Sequence, residues 1–172
     1  MSARQLMIIL AIVVTAVILQ TTLFVTDQIR PFDAAPDLII LAVIVGVQFL
    51  DPEPGIFLGF TAGLLADLLG GSLLGMWALS LTVVAYLVVR LRERVADSTG
   101  YRVAGLFILT LIGQALFLGM GTLFGQQPLR DPNAIRIAVL TALYTMIVGL
   151  ALIPLISWTV KAGRPRRGGV VL

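Results

Sequence analysis

The sequence predicts an all-α integral membrane protein whose fold is a bundle of six transmembrane helices. Of the 172 residues, 59% are hydrophobic and only 12% are charged, whereas soluble domains are about 45–50% apolar and about 25% charged. The mean hydropathy is +1.04. Apolar runs alternate with short polar stretches, and about 20 apolar residues suffice to cross a hydrocarbon core of roughly 30 Å. A chain of this composition belongs in a bilayer.

Composition also excludes several kinds of site. The chain has neither cysteine nor histidine, so it cannot form a disulfide bond, a zinc site built on those residues or a histidine general base. The net charge of +3 is compatible with nucleic-acid binding. However, the basic residues lie between apolar runs, as they do on the cytoplasmic face of membrane proteins. We therefore expect no cofactor, no metal and no nucleic-acid partner.

The first helix is predicted over residues 6–25. Its apolar run is about 20 residues long, whereas the apolar core of a secretory signal peptide is about 7–15 residues. The run also ends in Phe24-Val25-Thr26-Asp27 instead of the small residues of a cleavage site. Both features favour an uncleaved membrane-spanning helix over a signal peptide.

The second helix is predicted over residues 36–50, with Pro36 in its first turn and Asp37 beside it, where negative charge suits the helix dipole. Its apolar run from Leu38 to Leu50 covers about 13 residues. The helix must therefore include its polar flank or lie partly inside the protein. Residues 36–71 allow either two full spans or a re-entrant hairpin.

The third helix is predicted over residues 52–69. Asp51 is suited to the N-cap and Pro52 to the first helical position, and Gly70-Gly71-Ser72 ends the helix. The remaining helices are predicted over residues 73–89, 103–124 and 134–160.

A basic, polar connector is predicted at residues 90–102, and Pro154 is a candidate for a kink in the last helix. Residues 1–160 thus form one membrane domain, and residues 161–172 form a basic cytoplasmic tail.

The distribution of Lys and Arg predicts that both termini are cytoplasmic. With the N-terminus inside, nine of the 12 basic residues fall on the cytoplasmic side, which is the side where they normally accumulate. These nine are Arg4, Arg90, Arg92, Arg94, Arg102, Lys161, Arg164, Arg166 and Arg167. We expect Lys161, Arg164, Arg166 and Arg167 of the tail to hold the topology and bind anionic lipid, at about 1 kcal/mol per charge. Arg90, Arg92 and Arg94 belong to the same anionic-lipid or cytoplasmic set. Docking of a cytoplasmic protein to the tail is the alternative.

Small residues at intervals of four form the most distinctive pattern in the chain. This pattern consists of Gly55, Gly59, Gly63, Asp67, Gly71 and Gly75. In lipid, small residues with this spacing let two helix backbones approach closely. The glycine face either packs against another helix of the same chain or receives the transmembrane helix of a partner protein.

Asp67 is the only carboxylate well inside a predicted span. One interpretation is structural, with the acid paired to Arg30 or Arg130 or hydrogen-bonded to the backbone exposed at the Gly-Gly break. Contact with a partner and cation or proton transport are the alternatives. Gln20, Gln48 and Gln114 are expected to form hydrogen bonds between helices, with substrate binding as the alternative.

Four stretches together resemble the rod shape-determining MreD family. They are Pro36-Asp37-Leu38-Ile39, Gly59-Phe60-x-x-Gly63-Leu64-Leu65-x-Asp67-Leu68-Leu69-x-Gly71-Ser72-x-Leu74-Gly75, Ala78-Leu79 and Ala85-Tyr86-x-x-x-Arg90-Leu91-Arg92. The resemblance covers residues 36–94 closely, and Pro36, Asp37 and the glycine and Asp67 positions above match the family pattern.

The resemblance implies a multi-pass protein of the bacterial cytoplasmic (inner) membrane that belongs to the cell-elongation machinery. Such proteins bind the membrane-anchored scaffold MreC and act with MreB filaments, the glycosyltransferase RodA and a penicillin-binding transpeptidase. The resemblance also implies a fold similar to the substrate-binding subunits of energy-coupling-factor transporters. It transfers no catalytic residue to this chain.

We therefore hypothesise a non-enzymatic scaffold whose glycine face holds the membrane helix of MreC and which helps to regulate peptidoglycan synthesis and cell shape. The rival hypothesis is a substrate-binding subunit for vitamin or metal uptake, with a polar pocket near the outer face lined by Asp67, Gln114 or Gln48. A lipid-linked precursor enzyme is disfavoured because the spans contain too few acids for a metal-dependent site.

Overall fold

The computed structural model describes residues 3–23, 34–95, 99–126 and 131–162, and within these ranges the chain is helical with no β-strand. The predicted all-α class is thus confirmed for this part of the chain. Its elements are α1 (Ala3–Leu23), α2 (Leu38–Val47), α3 (Pro52–Gly70), α4 (Met76–Val95), α5 (Thr99–Leu123) and α6 (Ala134–Ala162).

Four of these helices are long and apolar enough to cross a membrane, namely α1, α3, α5 and α6. Helix α2 has only ten residues, or about 15 Å at 1.5 Å per residue, about half of a roughly 30 Å hydrocarbon core. Helix α4 has a sufficient length of 20 residues, but its last turns are charged. The structure therefore supports four of the six predicted spans, and the prediction of six full spans is not confirmed.

Helix α2 lies at the centre of the bundle and contacts each of the other five helices. Nine of its ten residues are buried. Its start is level with the middle of α5 and α6, because the backbone N–H of Asp37 donates to Thr145 and its carboxylate accepts from Gln114. Near its other end, Gly46 packs against Ile9 of α1. Helix α2 thus begins part-way through the bundle, and its burial agrees with the prediction that this short helix lies partly inside the protein.

The start of α2 corrects the predicted position of Pro36. Pro36 precedes the helix, and Asp37 is its N-cap, with an extended backbone and a side chain that accepts a hydrogen bond from Ile40 N. An aspartate at the N-cap satisfies a backbone N–H that has no partner within the helix. At the other end, residues 48–50 form a turn instead of the last part of the helix.

The ends of α3 agree with the sequence. Asp51 is the N-cap residue and Pro52 is the first helical residue, although the Asp51 side chain makes no capping hydrogen bond. At the other end, Gly71 adopts the left-handed conformation with φ of 71°, which glycine reaches without steric cost. Gly70 extends the helix by one residue beyond the prediction.

The predicted polar connector at residues 90–102 is mostly helical. Helix α4 continues through Arg90, Arg92 and Arg94, and α5 begins at Thr99, before the predicted residue 103. Arginine and glutamate are good helix formers, so charge alone does not end a helix. We call this end of the bundle, where α4 ends and α3 begins, the basic end, and the opposite end the Gly70 end.

The last helix ends two residues later than the predicted residue 160. Helix α6 contains Pro154 and continues to Ala162, so it includes Lys161 from the predicted tail. Arg164, Arg166 and Arg167 lie outside the described residues, as do Phe24 and Val25 at the predicted end of the first helix.

The glycine face of α3 packs against α4 of the same chain. A Cβ atom on Gly59 would lie 2.6 Å from the Leu81 carbonyl oxygen, and one on Gly63 would meet the backbone of Trp77 and Ala78. Gly55 faces Val47 of α2. Since α2 and α4 cover these glycines, the hypothesis that they receive a partner's helix is wrong.

Replacing Gly59 or Gly63 with alanine should push α3 away from α4 and lower the free energy of unfolding by about 1–3 kcal/mol, the usual cost of overpacking. Thermal unfolding of the detergent-purified protein measures this loss. Gly105→Ala is the matched control, because a Cβ there meets nothing within 4 Å and alanine favours the helix by up to about 1 kcal/mol. Equal stability of all three variants would refute the close α3–α4 contact.

Candidate functional site

Asp67 joins the end of α3 to the start of α4. Its side chain is 2% exposed and accepts four hydrogen bonds. The donors are Ser72 Oγ at 2.6 Å, Gly75 N at 2.9 Å, Trp77 N at 3.1 Å and Ala78 N at 3.2 Å. Asp67 therefore caps α4 from a neighbouring helix.

This capping has a clear physical cause. The first N–H groups of a helix have no intrahelical acceptor, and negative charge is favourable at a helix N-terminus. The first turn of α4 carries no acidic residue of its own, so Asp67 supplies both the acceptor and the charge. Where water is absent, these N–H groups must find hydrogen-bond acceptors within the protein.

Two glycines shape the turn between Asp67 and α4. Gly71 and Gly75 have φ angles of 71° and 100°, in the region that side chains rarely occupy. The turn allows Gly75 N to reach the carboxylate. Gly71 and Gly75 therefore do not belong to the glycine face. They shape a turn, and a Cβ atom on either would meet no atom within 4 Å.

Asp37 lies at a second polar cluster, which joins four helices. Its Oδ1 accepts from Ile40 N at 2.9 Å, and its Oδ2 accepts from Gln114 Nε2 of α5 at 3.0 Å. Its own N–H donates to Thr145 Oγ1 of α6 at 2.7 Å. Beside it, Gln20 Oε1 of α1 accepts from Leu38 N at 3.0 Å.

Sequence reasoning identified some members of this cluster and missed others. Gln20 and Gln114 were expected to form hydrogen bonds between helices, and they do. Asp37 was expected near a helix start but without these partners. Thr145 was missed, because an isolated threonine in an apolar helix carries no signal that it bonds to a residue 108 positions away.

The polar pocket expected by the transport hypothesis is not formed by its proposed residues. Asp67 and Gln114 are occupied by hydrogen bonds within the protein, and Gln48 is exposed at the end of α2. Within the described ranges no buried side-chain polar atom lacks a partner, and no three acidic side chains come together as metal ligands. Arg30 and Arg130, the other proposed partners of Asp67, lie outside those ranges.

Two concave surfaces lie elsewhere on the described part of the chain. The basic-end pocket, about 580 Å³, lies between Pro52 and Ile56 of α3 and residues 86 and 89–92 of α4. The α1–α6 groove, about 420 Å³, opens between α1 and α6 and has α2 as its floor. The groove is lined by Ile8, Ala11, Ile12, Thr15, Ala16, Leu19, Leu38, Leu41, Ala42, Leu152, Ile156 and Thr159.

Two of the predicted basic residues, Arg90 and Arg92, have described side chains at the basic end. Arg90 Nε donates to Tyr86 Oη at 3.0 Å, and Arg92 Nη1 donates to the Leu50 carbonyl at 2.8 Å. The Tyr86–Arg90 spacing of four residues, which places the two side chains on one helix face, is a signal that sequence reasoning missed. The side chains of Arg94 and Lys161 lie outside the described part.

Comparison with known protein families decides where the chain belongs. A family model described as rod shape-determining protein MreD matches residues 2–161 of the 172 residues. The chain belongs to the MreD family. No curated protein and no solved structure matches the chain significantly, so a likeness to energy-coupling-factor subunits stays a prediction.

Membership in the MreD family extends the resemblance seen at residues 36–94 to nearly the whole chain. Together with four helices suited to spanning a bilayer, it makes this chain a membrane-embedded protein with a role in determining rod shape. MreD is a family of shape-determining structural membrane proteins and is not a known enzyme family.

In this MreD protein, Asp67→Ala should leave three backbone N–H groups and Ser72 without their acceptor. At about 1–3 kcal/mol for each buried unsatisfied donor, the free energy of unfolding should fall by about 3 kcal/mol or more. Hydrogen exchange of the Trp77 and Ala78 amides should also accelerate, measured by mass spectrometry. Asp51→Ala is the control, because that exposed side chain makes no capping bond; equal effects of both variants would contradict the role of Asp67.

Gln114→Leu should leave Asp37 Oδ2 without its donor and destabilise the protein by about 1–3 kcal/mol. Adding Asp37→Asn should recover part of the loss, because a neutral amide costs less than an unpaired carboxylate in an apolar interior. Thermal unfolding of the single and double variants measures the coupling. Gln48→Leu, at an exposed position, serves as control, and strictly additive effects would exclude the Asp37–Gln114 interaction.

Proposed function

We propose that this protein is a non-enzymatic scaffold of the rod-shape machinery that binds MreC in the bacterial cytoplasmic membrane and helps to regulate peptidoglycan synthesis. Family membership supports the role in shape determination. The observation that carries the proposal is the α1–α6 groove, an apolar surface within two helices that are long enough to span a bilayer. MreB, RodA and a penicillin-binding transpeptidase would act in the same complex.

The groove suits a transmembrane helix as its occupant. Ala11 and Thr15 are exposed and lie one turn apart on α1, and small residues with this spacing permit close approach of another helix in lipid. Leu41 and Ala42 of α2 give the groove an apolar floor. A single apolar membrane helix, such as the one expected of MreC, would suit this surface.

The groove replaces the glycine face as the proposed docking surface. Gly59 and Gly63 are covered by α4, whereas α1 and α6 leave the groove between them open. We further propose that the basic end faces the cytoplasm, because the predicted topology assigns nine of the 12 Lys and Arg residues to the cytoplasmic side, where such residues accumulate. Both chain termini would then be cytoplasmic, and MreC would project its other domain outward.

Ala11→Trp should fill the groove and reduce the amount of MreC that co-purifies from native membranes by about tenfold, equivalent to about 1.4 kcal/mol of binding free energy. The expected cause is steric exclusion of the MreC helix, so the variant should retain its thermal stability. Quantitative immunoblotting of MreC after affinity purification measures the effect.

Ala115→Trp is the matched control, because Ala115 is also exposed in a spanning helix, α5, but lies outside the groove. The control should co-purify with MreC as the unmodified protein does. Unchanged recovery of MreC with a folded Ala11→Trp variant would exclude the groove. Absence of MreC from the unmodified complex would contradict the proposed function itself.

A further inference from the structure

The basic-end pocket combines charged and apolar walls in one cavity. Arg90 and Arg92 line it together with Pro52, Ile56 and Val89. The apolar part of α4 ends at Val89, where the charged turns begin. A boundary of this kind in a membrane helix marks the depth of the lipid headgroups.

Tyr86 holds the Arg90 guanidinium in a defined position. Arg90 Nε donates to Tyr86 Oη at 3.0 Å, and Arg90 Cζ lies 5.4 Å from the centre of the tyrosine ring. A guanidinium carries five N–H donors in a planar fork. The hydrogen bond to Tyr86 uses the Nε donor, so the two terminal nitrogens remain to bind an anion, and cation–π contact keeps the group over the ring.

Arg92 is anchored in a different way. Its Nη1 donates to the Leu50 carbonyl at 2.8 Å, which ties α4 to the turn after α2. Among the side chains that the structure describes, no ion pair joins Arg90 or Arg92 to a carboxylate. Asp51 and Glu53 are exposed at the start of α3 and do not line the pocket.

We propose that the basic-end pocket binds an anionic phospholipid, with Arg90 as the principal ligand of the lipid phosphate. Arginine forms bidentate, charge-assisted hydrogen bonds with phosphate oxygens. Arg92 adds positive charge beside that phosphate. Ile56 and Val89 contact the apolar portion next to the headgroup, which is why a lipid fits this cavity better than free phosphate does.

The proposed lipid would also connect α3 to α4 at the end remote from Asp67. The two helices are already joined at the Gly70 end by the Asp67 hydrogen bonds and along their length by the glycine face. At the basic end, the pocket separates Pro52 of α3 from the last turns of α4. A bound lipid fills this gap and contacts both helices.

The test measures binding of short-chain phosphatidylglycerol, short-chain phosphatidylcholine and inorganic phosphate to the full-length protein in detergent, by isothermal titration calorimetry. Phosphatidylglycerol should bind more tightly than either alternative. Arg90→Gln should weaken its binding by about tenfold or more, as expected for loss of a charged hydrogen-bonding group. Tyr86→Phe, which removes the hydroxyl acceptor but keeps the ring, should weaken it by a smaller factor.

Arg4→Gln is the charge-matched control, because Arg4 is an exposed arginine of α1 that does not line the pocket. This variant should change the affinity by less than about twofold, since salt screens exposed charges that make no direct contact with the lipid. Equal losses with Arg4→Gln and Arg90→Gln would overturn the proposal and indicate non-specific attraction. Phosphate or phosphatidylcholine binding as tightly as phosphatidylglycerol would also overturn it. Unchanged thermal unfolding of Tyr86→Phe ensures that its weaker binding reflects the pocket.

Discussion

The architecture depends on supplying hydrogen-bond acceptors to helix starts that lie inside the bundle. A bilayer core offers no water to the first N–H groups of a helix, and both α2 and α4 begin against other helices. Asp37 serves α2 from its own N-cap position, and Asp67 serves α4 from the end of α3. The two carboxylates thereby fix where the helices begin and how they lie against their neighbours.

The buried polar groups of the described residues make hydrogen bonds within the protein. Gln20, Gln114 and Thr145 are joined to the start of α2, while the glycine face brings α3 into contact with α4. These residues resemble a substrate site when read along the sequence, but in three dimensions they hold helices together. The α1–α6 groove and the basic-end pocket are exposed surfaces, for which we propose a helix and a lipid as occupants.

Local sequence signals predicted the class of the fold and several helix ends. Contacts between residues far apart in the sequence were not predictable, because no local signal identifies the partner. Asp51-Pro52 and Gly70-Gly71 predicted the ends of α3 because capping depends on neighbouring residues. The short apolar run of α2 predicted a helix that could lie partly inside the protein, but its central position was not predictable, because hydropathy does not distinguish an apolar run surrounded by protein from one surrounded by lipid. The glycine spacing predicted close packing but could not identify the helix that packs against it. The sequence also contains no local signal for the hydrogen bond between Asp37 and Gln114, which are 77 residues apart.

The proposed function depends on the α1–α6 groove as the surface that would hold MreC. Site-specific photo-crosslinking in living cells tests it most directly, with a photoreactive residue at Thr15 in the groove or at exposed Val83 on α4. The account predicts that Thr15 crosslinks to the membrane helix of MreC and that Val83 does not. A crosslink to MreC from Val83 with none from Thr15 would contradict it.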